Sequence, residues 1–334
     1  VQFNVRDEKI SFGVVNTINS IKGNRSKAVN GFSVLDKNYN KVWTYNFNQD
    51  VENSYDEYQL LTSSNETFVM LKTIHSKNLI KTLEVFSVKD GKNLASIPYG
   101  DFQYSTKLHS IETNGNNYDI IYALYQVKEK DFLSQSILGY SKLSIDKKTG
   151  QQVGQNYLTW TDLKSHFNFK KPEKSGEIAK YGNLLLRDFI SLKSGNHIGV
   201  FEGTLIKKNN HVFKDYHFVE FDKNLNVLKI TKQANSENMD YKFDRFKTYR
   251  FSQKLNSNDE YVFFYETIEK ENKKNVHKLV ITTYLNNQFS QEKLQLSDKD
   301  SKIYPSLAKN GYILLLEHDK KGNAVEQRLE KINL

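Results

Sequence analysis

The sequence predicts an all-β chain, a β-propeller of six four-stranded antiparallel blades, with seven the alternative count. Three observations predict it: a composition rich in aromatic residues, a buried-strand signature that recurs along the chain, and a hairpin turn that alternates with that signature.

The mean hydropathy of −0.66 would suit a disordered chain, but 20 Tyr and 21 Phe supply the ring surface that such chains lack. Burial of those rings can offset chain entropy, and rings together with β-branched residues favour strands. Only 3 prolines among 334 residues argue against a proline-rich arm or linker. Propellers run this long as one unit, so a single domain spanning 1–334 is expected.

The first recurring signature is a polar turn leading into a strongly apolar strand. It stands at Asn65-Glu66-Thr67-Phe68-Val69-Met70-Leu71, at Asn117 to Tyr122, at Asn196 to Phe201, at Asn258 to Phe264, and at Asn310 to Leu316. Apolar runs of this length fit strands covered on both faces. The second signature is a hairpin turn rich in Asx, Lys and Gly, centred near residues 36, 90, 146, 222 and 286. Each opener precedes its turn by roughly 25–30 residues, which gives a four-stranded unit. At the C-terminus the turn Asp319-Lys320-Lys321-Gly322-Asn323 follows its opener too soon and reads as the second hairpin of a unit. The sixth unit then ends at a third strand, Ala324 to Ile332, and Gln2 to Val5 is expected to supply the fourth and close the ring.

Two stretches break the rhythm and are expected to be rim insertions, near 160–182 and 232–248. Thr161 is placed to cap a short helix over 162–168. Long insertions on a rigid scaffold are where binding surfaces are built. Trp160, Phe167, Phe169, Tyr241, Phe243, Arg245 and Phe246 are therefore the candidate partner-binding rim. Packing cover is the competing role for the same residues. Trp43 and Trp160, at outer-strand ends of two units, and Tyr122 and Tyr125 read by default as packing between blades.

No catalytic or metal-binding residue and no cofactor is expected. The chain has no cysteine, no HExxH, no GxSxG elbow and no phosphate-binding glycine loop. His211 and His217 share a strand face at even spacing but lack further ligands. Asp36-x-Asn38-x-Asn40 and Asp222-x-Asn224-x-Asn226 open like calcium loops, yet each lacks the glycine and the terminal Glu that such loops use. An Asx turn explains them without an ion. Glu202, Glu266, Asp119 and Asp188 are the acids beside buried runs that a glycosidase pair would draw on.

The formal net charge of +9 is carried almost wholly by lysine, with six arginines in the chain. Arginine makes the bidentate contacts that read phosphate and guanine, so no nucleic-acid partner is expected. No run approaches the roughly 18 apolar residues of a membrane helix, so no membrane span is expected. Val1-Gln2-Phe3-Asn4-Val5 already reads as strand, which suggests an exported protein after signal-peptide cleavage, in the periplasm or cell envelope.

The turns Leu35-Asp36-Lys37-Asn38-Tyr39-Asn40 and Glu220-Phe221-Asp222-Lys223-Asn224-Leu225-Asn226, each after an aromatic strand, carry a resemblance. The chain resembles exported β-propeller proteins of Bacteroidetes that carry domains of unknown function. That resemblance implies a protein partner, with a plug-like subunit of the type IX secretion translocon as one role known in such envelopes. The expectation is a non-catalytic periplasmic propeller, monomeric by itself, that binds an outer-membrane protein complex. The alternative is a carbohydrate-binding or glycoside-cleaving propeller.

Overall fold

A computed structural model describes residues 2–3, 13–20, 27–36, 38, 40–46, 55–75, 79–100, 103–127, 136–179, 182–207, 210–233, 239–241, 249–255, 259–271, 274–296, 301–308, 311–319, 321 and 323–332. Their strands form six sheets in chain order, each a run of neighbouring antiparallel strands. This is the blade organisation of a β-propeller.

The first sheet holds β1 (Gln2–Phe3), β2 (Gly13–Ser20), β3 (Lys27–Leu35) and β4 (Lys41–Asn46). The second holds β5 (Tyr55–Ser63), β6 (Thr67–His75), β7 (Ile80–Ser87) and β8 (Asn93–Pro98). The third holds β9 (Ser105–Asn114), β10 (Asn117–Tyr125), β11 (Gly139–Asp146) and β12 (Gln152–Thr159). The fourth runs β13 (Glu177–Ile178), β14 (Gly182–Ser191), β15 (His197–Lys207), β16 (Asn210–Phe221) and β17 (Val227–Gln233), with β18 (Met239–Tyr241) also on β16. The fifth holds β19 (Tyr249–Lys254), β20 (Tyr261–Glu271), β21 (Lys274–Leu285) and β22 (Gln288–Gln295). The sixth has three strands, β23 (Ser301–Leu307), β24 (Tyr312–Asp319) and β25 (Ala324–Lys331).

The chain divides into two compact units, 1–130 with 140–156, and 131–139 with 157–334. In the first unit, Phe32 and Val34 of the first sheet pack on Phe68, Met70 and Phe86 of the second, with Trp43 and Tyr45 laid against them. Val69, Leu83, Val85 and Ile97 of the second sheet meet Tyr118, Ile120, Leu143 and Ile145 of the third. In the second unit, Val200, Tyr216 and Phe218 of the fourth sheet meet Phe263, Tyr265 and Val280 of the fifth.

Each apolar opener becomes the strand its neighbours cover. In β10 every residue after the first is buried. The turns hold themselves in shape. Asp36 Oδ1 accepts the backbone N–H groups of Asn38 and Asn40, both at 2.8 Å. Asp222 repeats this with Asn224 and Asn226 at 2.8 Å, and Asp319 with Lys321 and Asn323 at 2.8 and 2.9 Å. The carboxylate oxygens that suggested calcium are thus engaged by their own loops. The Asn226 side-chain amide, which donates to Asp222 Oδ2 at 2.8 Å, and those backbone N–H groups hold the Asp222 carboxyl below its ordinary range. Asn286 and Asn287 take left-handed φ of 49° and 60°, which suits a two-residue hairpin. Gly91, at φ +69°, lies under the Trp43 ring, where a Cβ would sit 2.8 Å from the indole.

Two expectations are corrected. The N-terminal strand does not complete the sixth sheet: Gln2 pairs with Val14 and Phe3 with Gly13. A nearby antiparallel strand gave it a local partner, and it serves as the opening strand of the first sheet (Asn4 and Val5 lie outside the described residues). Thr161 is not a cap either. The short element is a 3₁₀ turn, Asp162–Ser165, in which Thr161 is already helical and makes no capping bond. Asp162 instead accepts from the Thr159 backbone N–H at 2.9 Å and hydroxyl at 2.7 Å.

Candidate functional site

In the second, third and fifth sheets the first strand, and in the fourth sheet β14, carries one extra residue against the strand that follows it. Pairing jumps from Leu60↔Met70 to Thr62↔Val69, and from Leu108↔Tyr122 to Ser110↔Ile121. It jumps again from Leu186↔Phe201 to Asp188↔Val200, and from Tyr249↔Tyr265 to Phe251↔Phe264. The bulged residues are therefore Leu61, His109, Arg187 and Arg250. A bulge turns a side chain out of the strand's alternation and re-aims it.

In the fourth and fifth sheets the re-aimed side chain is an arginine that meets a buried glutamate on the next strand. Arg187 Nε donates to Glu202 at 2.6 Å, and Tyr216 donates its hydroxyl to the other oxygen at 2.6 Å. Arg250 donates Nε at 3.0 Å and Nη2 at 2.7 Å to one oxygen of Glu266. Burial pushes the Glu202 carboxyl above its ordinary range, while the Arg187 charge and the Tyr216 hydroxyl pull it back. Between the two sheets, Asp188 accepts from Tyr249 at 2.5 Å and from Ser252 at 2.6 Å. Burial and the Asp188 charge raise the Tyr249 hydroxyl far above its usual value. In the first unit Asp119 accepts from Ser144 at 2.6 Å. Each acid considered for glycoside chemistry is thus already tied to a donor of its own sheet or the next.

The rest of the second unit is more open. Between the fifth and sixth sheets lies a cavity of about 470 Å³, lined among others by Leu294, Leu296, Ile303, Ile313 and Leu315. Arg328 and Glu330 of β25 face it from the sixth sheet, and Glu292 faces it from β22. β25 is exposed along almost its whole length, with Val325 62% and Leu329 54% accessible. Leu294, which lines the cavity, is 49% exposed.

The residues proposed as a rim fall elsewhere. Trp160 is fully buried, with Nε1 donating to the Ile137 carbonyl at 2.6 Å. Its ring packs on Phe169 at 5.4 Å, and Gly176 lies so close that a Cβ would come within 2.7 Å of the indole. Phe167 and Phe169 are 8% exposed, and Phe167 sits edge-on to His217 at 5.3 Å. These three rings glue residues 160–179 onto the fourth sheet and offer little surface to a partner. Tyr241 lies in β18, and Phe243, Arg245 and Phe246 lie outside the described residues. His217 is held neutral, its pKa lowered to about 4 by burial against a smaller opposing pull from Asp215. Trp43 packs as expected and donates Nε1 to the Val88 carbonyl at 2.8 Å.

Sequence reading found Glu202 and Glu266 but missed their arginines. A signal was present: two of six arginines stand 15 and 16 residues before those glutamates, in matching places of consecutive units.

The fold defines a β-propeller. Residues 221–333, from the end of β16 through the sixth sheet, match a family of unknown function (DUF6770). No curated protein matches the sequence. Among solved structures, the chain is similar to the β-propeller domain of the Trilobed protease from Pyrococcus furiosus, at 12% identity and a TM-score of 0.39, over 83% of this chain and 68% of that one. It is also similar to prolyl oligopeptidase B from Galerina marginata, at 10% identity and a TM-score of 0.42, over 93% of this chain but only 38% of the enzyme. An α-L-arabinofuranosidase from Clostridium thermocellum matches at 11% identity and a TM-score of 0.31, over 80% of this chain and 82% of that one. Likeness at this level carries no argument about activity.

Proposed function

We propose that this chain is a non-catalytic, protein-binding propeller. The observation that carries the reading is the apolar cavity between the fifth and sixth sheets, edged by the exposed strand β25. An apolar recess beside a strand edge that has no neighbour among the described residues suits a polypeptide ligand. The engagement of Glu202, Glu266, Asp188 and Asp119 by internal donors supports a structural rather than a catalytic use of those acids. Pairing of Arg187 and Arg250 with glutamates supports a partner other than nucleic acid. In its finer form, the proposal places the chain in the periplasm of a Bacteroidetes cell. There it would serve as an accessory subunit of an outer-membrane secretion complex of the type IX kind, as its resemblance to exported propellers implies.

The test is affinity purification of the chain at endogenous expression, with cell fractionation and a screen for glycan binding and hydrolysis. A stoichiometric envelope protein in the eluate is expected. Glycan turnover, or recovery only in the cytoplasmic fraction without a partner, would overturn the reading.

A further inference from the structure

We infer that the sixth sheet is completed by an extended strand from a partner protein, which pairs along β25 and puts a large apolar side chain into the cavity. The inference rests on the protein-binding reading above and names how that binding is made.

The fifth sheet shows what is needed. Its fourth strand, β22, turns Phe289 inward, where the ring packs on Phe218 of the fourth sheet at 5.0 Å and on Tyr284 of its own sheet at 4.8 Å. That ring continues the seam between the fourth and fifth sheets, whose inner part is Phe218 on Phe263 at 5.0 Å. The seam between the fifth and sixth sheets has the same inner part, with Val262, Phe264, Leu279 and Ile313 buried together. Its outer part is the cavity. Among the described residues no strand lies beyond β25, so no side chain takes the place that Phe289 takes one sheet earlier. The repeat therefore specifies the occupant as a β-strand with an aromatic or large aliphatic residue on the cavity side.

Charge narrows the partner further. Arg328 is answered within its own sheet by Glu317 at 4.0 Å and Glu326 at 3.5 Å. Glu292 and Glu330 line the cavity with no ion-pair partner among the described residues, and Lys331 ends the strand. A basic residue near the inserted apolar one would answer the two glutamates. Leu296, Ile313 and Leu315 supply apolar lining for the inserted side chain.

The chain carries its own probe. A synthetic peptide of the β22 sequence, Gln288–Gln295, contains Phe289 and Lys293 in strand register. It would be titrated into the whole chain labelled at isoleucine methyls, with Ile281, Ile303, Ile313 and Ile332 as reporters at the cavity. Saturable shifts confined to those methyls are expected, weakened about tenfold or more when the peptide carries Phe289→Ala. The same loss is expected when the protein carries Leu294→Glu, a substitution at a half-exposed position that leaves the fold intact. Val153→Glu, at a similarly exposed position of β12, should leave binding unchanged. Absent shifts at millimolar peptide, or shifts indifferent to Leu294→Glu, would overturn the inference. Cavity shifts that grow with protein concentration alone would assign the place to a second copy of the chain and overturn it as well. An envelope partner that copurifies equally with wild type and Leu294→Glu would keep the protein-binding reading while removing this mode.

Discussion

The seam between the fourth and fifth sheets and the seam between the fifth and sixth are built by the same repeat, and only the first is finished. The finished seam has Tyr216 on Tyr265 at 4.2 Å, Phe218 on Phe263 and Phe289, and Asp188 reaching across to Tyr249 and Ser252. The other has an apolar inner part and then open space beside an exposed strand. On the protein-binding reading proposed above, the difference keeps stability and recognition apart: buried polar order is spent where sheets must not slip, and apolar surface is left where a partner would lie.

Breaking the finished seam should be costly. Glu202→Ala would leave the Arg187 guanidinium and the Tyr216 hydroxyl facing a buried site with no acceptor. A loss of about 3–5 kcal/mol is expected in urea unfolding; a loss below about 1 kcal/mol would mean that the pair is not a structural anchor. Next in size is the acid sensitivity set by His217, which faces Asp215, Lys232 and the Phe167 ring. The folded protein keeps it neutral down to about pH 4, whereas the unfolded chain takes up its proton near 6.5. The stability is therefore present above pH 6.5 and is lost as pH falls towards 4, by about 3 kcal/mol over that window. His217→Phe should flatten that part of the stability curve, and an unchanged slope would assign the acid loss to other groups.

The smaller effects sharpen the contrast. Phe289→Ala should cost about 2 kcal/mol, since a partly buried ring leaves a gap in the finished seam. Leu329→Lys on β25 should change stability by less than about 0.5 kcal/mol, because that side chain is already 54% exposed. Equal costs at the two sites would show that the sixth sheet is sealed in solution as the fifth is.

Much of the architecture could be read from residues. Asx-rich turns announce their own geometry, and apolar runs such as Tyr118 to Tyr125 announce strands covered on both sides. The early turn at Asp319 matches a sixth sheet that has three strands among the described residues. What could not be read depends on pairing partners. The bulges at Arg187 and Arg250 exist only relative to the neighbouring strand, so their ion pairs carry no local signature. The choice of Gln2–Phe3 between its own hairpin and a distant edge is likewise a contest of pairings that composition does not decide. Some aromatic residues, Trp43 among them, are legible as packing, but Trp160 and Phe167 also read as a rim because their segment breaks the repeat, and they are buried because that segment folds back on the fourth sheet.

The central claim is that the edge of β25 is a place for one more strand. Amide hydrogen exchange of the whole chain, with and without the Gln288–Gln295 peptide, addresses it most directly. Slowed exchange confined to 324–331 on adding peptide is the predicted result. Unchanged exchange there, or protection appearing on other sheets instead, would contradict the account.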